Sequence, residues 1–222
     1  AIGLLDDMFN KGFVPDSLIY ATLLNSLCRK KGKLGEAYKL LCRMNYKGCK
    51  PDVMHYNTVI LGYCRQGKAY DACKIVGDME SNGCLPNVVT YRTLVGGLCD
   101  QGMLEEAQEY LALMLSKEFS PHFSVAHSLI RELCNVAKID EACVITLELL
   151  KCRETLCRDT WMLLIPRICE ADTTEMIGDR LDKVMMMELE RDTRIVEAGA
   201  YLEKYLWEQT QSRHGKRSNR KG

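Results

Sequence analysis

No two of the twelve cysteines in this 222-residue sequence stand three apart. Paired C-x-x-C ligands for zinc and the dithiol redox motif are therefore missing, and no metal or cofactor is expected. Excess charge of one sign is missing as well, since 30 basic residues meet 30 acidic ones. No bulk field draws an acidic partner, and any nucleic-acid reading has to rest on local positions. A run of about 18 apolar residues is absent, so nothing in the sequence spans a membrane. Catalytic patterns are lacking too. The zinc deaminase pattern, H-x-E with P-C-x-x-C, does not occur, and the acidic residues are not clustered as a two-metal nuclease site requires. The sequence reads as a non-enzyme. Free thiols at this density suit a reducing compartment.

What is present is a period. Cysteines fall at Cys28, Cys64, Cys99, Cys134 and Cys169, separated by 36, 35, 35 and 35 residues. Ala37, Ala72, Ala107 and Ala142 keep that spacing, as do Met8, Met44, Met79 and Met114, while Pro15, Pro51, Pro86 and Pro121 mark the ends. Within the copy at 53–87, Tyr56, Val59, Ile60, Tyr63 and Cys64 recur at helical spacing and form one apolar face. Gly67 can adopt φ > 0 and ends that helix. Ala72, Ile75, Val76 and Met79 make the face of a second helix, which Gly83 and Pro86 close. A helical hairpin repeated at this period is a solenoid, each unit contacting mainly its neighbours.

The chain divides accordingly. Residues 1–16 are the second helix of a partial repeat, because Met8, Gly12 and Pro15 align with Met79, Gly83 and Pro86. The sequence is thus read as starting inside a longer protein, with any targeting peptide outside it. Repeats follow at 17–52, 53–87 and 88–122. The first has one extra residue in its Arg29-Lys30-Lys31 turn, and the third has Glu118 where the others have glycine. Residues 123–157 form a degenerate repeat, in which Ala126 replaces the helix-opening tyrosine and Ala137 the inter-helix glycine. That turn is expected to relax, because a left-handed alanine costs on the order of 1 kcal/mol. Residues 158–170 read as a terminal repeat-like helix, with Trp161 in the tyrosine place and Pro166 expected to kink or end it. Beyond it the period stops. Residues 171–210 read as a helical cap opening on Asp172 and Glu175, and 211–222 as a basic disordered tail.

The stretches YNTVILGYCRQGKAYDA and GLCDQGMLEEA, with the G-x-x-P-[DN] closers, resemble pentatricopeptide repeats. The tetratricopeptide kind has a 34-residue period and a W-x-x-L-G-x-x-Y pattern, which is not found here. The likeness covers about residues 1–170, and the uniform spacing resembles the plain class of the family. It implies an all-α, right-handed superhelical solenoid of helix-turn-helix repeats with a C-terminal helical cap. It further implies a plant organellar protein, mitochondrial or chloroplast, that binds single-stranded RNA alongside other RNA-processing proteins. Stability, splicing or translation of the RNA would be the process served, with one base read per repeat.

In that family the residue after the helix-opening tyrosine reads the base together with the residue that closes the repeat. Carried onto this sequence, the pairs are Ala21 with Asp52, Asn57 with Asn87, Arg92 with His122, and His127 with Cys157. Asn57 with Asn87 is a familiar combination and implies a pyrimidine, an amide being able to donate and accept at once. Ala21 has no hydrogen-bonding side chain, and Arg92 or His127 would act through charge or stacking. An apolar residue three before the reader, namely Leu18, Met54 and Val89, is implied to wedge against the base, and Ser124 breaks that pattern. Such contacts contribute roughly 1–3 kcal/mol per base. Arg29 and Arg65 follow the helix-A cysteine and are candidates for phosphate, although Asp100 and Asn135 hold the same place later. Glu105, Glu106, Asp140 and Glu141 open second helices and suit the helix dipole. Neutral net charge and mixed reader pairs leave a protein-binding scaffold as the rival reading.

Overall fold

Uniform punctuation cuts this chain into helices of uniform length. The computed structural model describes residues 3, 5, 8, 10–152, 154 and 156–170. Among them lie α1 (Ser17–Arg29), α2 (Leu34–Tyr46), α3 (Val53–Arg65), α4 (Ala69–Ser81), α5 (Val88–Asp100), α6 (Leu104–Ser116), α7 (Phe123–Asn135), α8 (Ile139–Lys151) and α9 (Arg158–Glu170). Each of these has 13 residues. The cap read at 171–210 and the tail read at 211–222 lie outside the described residues.

The starts of α1, α3 and α5 are fixed by side-chain caps, whereas α2, α4, α6 and α8 begin without one. The Ile19 N–H donates to Asp16 Oδ1 at 2.8 Å, and Asp52 Oδ1 accepts from the Met54 and His55 N–H groups at 2.9 and 3.1 Å. Asn87 Oδ1 accepts likewise from Val89 and Thr90 at 3.0 and 3.1 Å. Each cap of this kind contributes about 1 kcal/mol. Ends are fixed by a left-handed residue. At Gly67, with φ of +71°, the chain reverses so that the Lys68 N–H returns to the Tyr63 carbonyl at 2.9 Å.

One expectation is corrected here, and of the kink or end expected at Pro166 the end is excluded. Ala137 does not let its turn relax: it holds φ of +61°, and the Lys138 N–H still closes on the Leu133 carbonyl at 2.9 Å. Glu118 holds φ of +58° in the place of the missing glycine. The hydrogen bonds and the packing of both flanking helices outweigh about 1–2 kcal/mol of steric cost. Nor does Pro166 end α9, which continues to Glu170. Leu164, Ile165 and Ile168 are buried on either side of it and hold both halves in place.

Contacts divide the chain into two compact units, 1–125 and 126–222. In the first, α1, α3 and α5 pack in series, each also against its own second helix, α2, α4 or α6. Helices α2 and α4 reach forward to the next hairpin as well. The apolar faces expected from spacing are the buried ones: Tyr56, Val59, Ile60, Tyr63 and Cys64 on α3, and Ala72, Ile75, Val76 and Met79 on α4. Each large side chain so placed contributes roughly 1.5–3 kcal/mol. In the second unit α8 packs on α9.

The recurring cysteine has a steric reason. A Cβ added to Gly62 would lie 2.6 Å from Cys28 Cβ, and one added to Gly97 would lie 2.5 Å from Cys64 Sγ. The small residue of one first helix therefore seats the glycine of the next. These thiols are free and buried. Burial raises the Cys28 thiol to about 11, and burial followed by the charges of Cys73 and Asp100 raises Cys64 to about 12.

Candidate nucleic-acid interface

Two of the residues expected to read bases are helix caps. Asp52 and Asn87, expected as base readers because they close a repeat, are also the N-caps of α3 and α5. Their backbone is extended, so the side chain reaches over the first turn of the following helix. Asn57, on the second turn of α3, meets Asn87 there: Asn57 Nδ2 donates to Asn87 Oδ1 at 3.3 Å. A third residue joins them. The Thr90 hydroxyl, on α5, lies 2.7 Å from Asn57 Oδ1 and 3.1 Å from Asn87 Oδ1, and accepts from the Asn87 N–H at 3.1 Å. Both asparagines are half-buried and Thr90 is buried.

The other pairs are assembled differently. Ala21 is half-buried and Asp52 exposed, and the Asp52 carboxylate lies 2.6 Å from His55 Nδ1. Partial burial acts to raise the Asp52 carboxyl, and the hydrogen bonds from His55 and Met54 outweigh it, so the group sits below its ordinary value. His55 Nε2 lies 3.0 Å from the Ser17 carbonyl, which ties the start of α3 to the start of α1. Arg92 and His122 do not meet. The Arg92 guanidinium donates to the Ser120 carbonyl at 2.6 and 3.2 Å, and His122 Nδ1 lies 2.8 Å from Ser124 Oγ. His127 and Cys157 converge on one hydroxyl, Thr160 Oγ1, at 2.9 and 3.1 Å.

Leu18, Met54 and Val89, expected as wedges, are 70%, 58% and 49% exposed and so open to solvent. A groove between α1 and α3 has Ala21, Arg29, Met54, Thr58 and Arg65 among its lining residues. It gathers a reader position, a wedge position and the two candidate phosphate ligands on one surface. Sequence reasoning missed His55, Thr90 and Thr160. Their common place, three residues after each repeat closer, was legible, but their inward orientation was not. Among the described residues no cluster of metal-ligating side chains is present, and no helix is long and apolar enough to cross a membrane.

These features define an array of helical hairpins whose first helices carry their polar side chains in register. Residues 15–54 and 51–100 match the model of the PPR repeat family, and residues 89–119 match that of the PPR repeat. Over residues 15–119 the chain carries repeats of the pentatricopeptide kind. A pentatricopeptide repeat-containing protein of Arabidopsis thaliana is 41% identical over 69 residues, 31% of this chain and 10% of that protein. The chain spans about a tenth of the length of the curated relatives it matches. Among solved structures it is similar to the pentatricopeptide repeat protein PPR10 from maize, with 23% identity and a TM-score of 0.67 over 88% of this chain and 27% of that one. The complex of PPR10 with an 18-nt psaJ RNA element gives 22%, 0.54, 83% and 27% for the same quantities. The PPR domain of Arabidopsis thaliana protein-only RNase P 1, in complex with tRNA, gives 17%, 0.61, 75% and 87%. At these identities the likeness to solved structures is one of fold.

Proposed function

We propose that this chain binds single-stranded RNA along the surface carrying Asn57 and Asn87, and serves RNA stability, splicing or translation without catalysing a reaction. The observation that carries the reading is the joining of Asn57 to Asn87. Two residues 30 positions apart, each a hydrogen-bonding amide, meet at a half-exposed surface with the apolar Met54 and Val89 uncovered. Polar groups that read an edge, flanked by apolar groups that stack or wedge, are what an unpaired base requires. The family match supports the reading, and PPR10, of the same fold, has been crystallised with an RNA element. Asn57 with Asn87 would take a pyrimidine.

Fluorescence anisotropy with pooled single-stranded RNAs, with single-stranded DNA and duplex RNA as competitors, tests this. Preferential RNA binding, weakened by salt and losing its preference at one pyrimidine in Asn57→Ala, is the expected result. Equal binding of all three nucleic acids, or none, overturns it and turns attention to protein partners.

A further inference from the structure

The buried polar side chains described in this chain are His55, Thr90, Thr146 and Thr160. Thr146 is accounted for within its own helix, where its hydroxyl donates to the Ala142 carbonyl at 2.8 Å. The other three share one place, three residues after a repeat closer: Asp52 to His55, Asn87 to Thr90, Cys157 to Thr160. They are 0%, 0% and 1% exposed. Burying a polar group is costly unless it is hydrogen-bonded, and each of the three makes its bond to the preceding pair. His55 Nδ1 is 2.6 Å from Asp52 Oδ1, Thr90 Oγ1 is 2.7 Å from Asn57 Oδ1, and Thr160 Oγ1 is 2.9 Å from His127 Nδ1. The remaining case is a natural control. Val125 stands three after His122, and there Arg92 and His122 turn to other partners.

At Thr90 the protons can be assigned. The backbone N–H groups of Val89 and Thr90 both donate to Asn87 Oδ1, so that atom is the carbonyl oxygen. Asn57 must then face it with Nδ2, which turns Asn57 Oδ1 toward Thr90. The Asn87 N–H donates to Thr90 Oγ1, and the Thr90 hydroxyl proton goes to Asn57 Oδ1. With the amide oxygens engaged, the groups left for a ligand are N–H donors on Asn57 and Asn87. Pyrimidine pairing edges offer O2 together with O4 or N3 as acceptors, whereas a purine pairing edge offers N1 or O6 alone.

We propose that Thr90 is a specificity-determining residue for the Asn57–Asn87 pair, and that His55 and Thr160 act in the same way on theirs. The inference rests on the RNA-binding reading above. Thr90 holds the Asn57 amide in the orientation that presents donors, so the hairpin selects a base edge rich in acceptors. Without the hydroxyl, Asn57 keeps only its longer bond to Asn87, at 3.3 Å against 2.7 Å to Thr90, and its amide can turn away from Asn87 to offer its oxygen to a purine amino group.

The test is selection from a single-stranded RNA pool randomised at every position, with the protein, Thr90→Val, Thr90→Ser and Asn57→Ala. The wild type is expected to enrich one pyrimidine column. Thr90→Val should flatten that column by about 3- to 10-fold, the value of one lost hydrogen bond, and leave the other columns unchanged. Thr90→Ser should retain it. Should valine disturb folding, Thr90→Ala must give the same flattening. Weakening of all columns alike in the hydroxyl-less variants would mean a purely structural role and overturn the proposal. A column lost in Asn57→Ala but kept in Thr90→Val and Thr90→Ala would overturn the proposal while leaving RNA reading intact. No enrichment by the wild type would overturn both.

Discussion

A single thiol shows how a repeat position sets chemistry. Cys28 and Cys64 are buried against glycines of the next helix, and burial holds them at about 11 and about 12. Thiolate is the reactive form, so at neutral pH these residues are inert. Cys42 and Cys152 are exposed. Maleimide labelling of the native protein, read by peptide mass mapping, is expected to modify Cys42 and Cys152 and to reach Cys28 and Cys64 only in denaturant. Because folding raises these thiol values, their contribution to stability is complete below the ordinary thiol value. It is lost as pH rises from there toward 11–12.

Left-handed Ala137 is a second residue-scale matter. Sequence alone argued that its turn would relax, since a methyl group opposes φ > 0. The turn is kept because its hydrogen bond and two helices depend on it. Ala137→Gly should therefore raise the melting temperature, by the equivalent of about 0.5–1 kcal/mol after the greater unfolded-state freedom of glycine is allowed for. An unchanged or lower melting temperature would show that the alanine is not strained.

At the scale of helices, period and pattern were enough to place both helices of each hairpin, because burial recurs every three or four residues and turns need glycine. The close approach of neighbouring first helices was not legible. Gly62 and Gly97 look like weak helix formers until Cys28 and Cys64 are seen against them. Adding a methyl group to Gly62 places it against Cys28 Cβ, which no rotamer can move. Gly62→Ala is expected to cost about 1–3 kcal/mol despite the better helix propensity of alanine, measured by urea unfolding. A stabilised variant would contradict the packing. The orientation of His55, Thr90 and Thr160 was hidden for a related reason. A polar residue in the first turn of a helix is ordinarily solvated, and only the placement of the neighbouring hairpin turns it inward.

At the scale of the molecule, a chain with no net charge that binds RNA as proposed would hold the polyanion by placement. Arg29 and Arg65 line the groove between α1 and α3, and the same places hold Asp100 and Asn135 further on. Phosphate contact is thus expected on the N-terminal side of the array. Each such contact to a single strand adds about 0.7 to the slope of log affinity against log salt. Arg65→Ala should weaken binding of all RNAs alike and lower that slope by about 0.7, while Asp100→Ala leaves it unchanged or steeper. An unaltered slope in Arg65→Ala would remove this arginine from the interface.

The trio of Asn57, Asn87 and Thr90 straddles a joint between hairpins. A segment cut at 53–87 and moved elsewhere carries its reading pair but leaves Thr90 behind. Unequal crossing-over that removes 88–122 would bring Val125 to the place of Thr90, so the surviving asparagines would lose their support. On the proposed reading, units of inheritance and units of recognition are offset by three residues, so that a deletion discarding one letter would also respell its neighbour. Grafted cassettes should therefore be cut after residue 90.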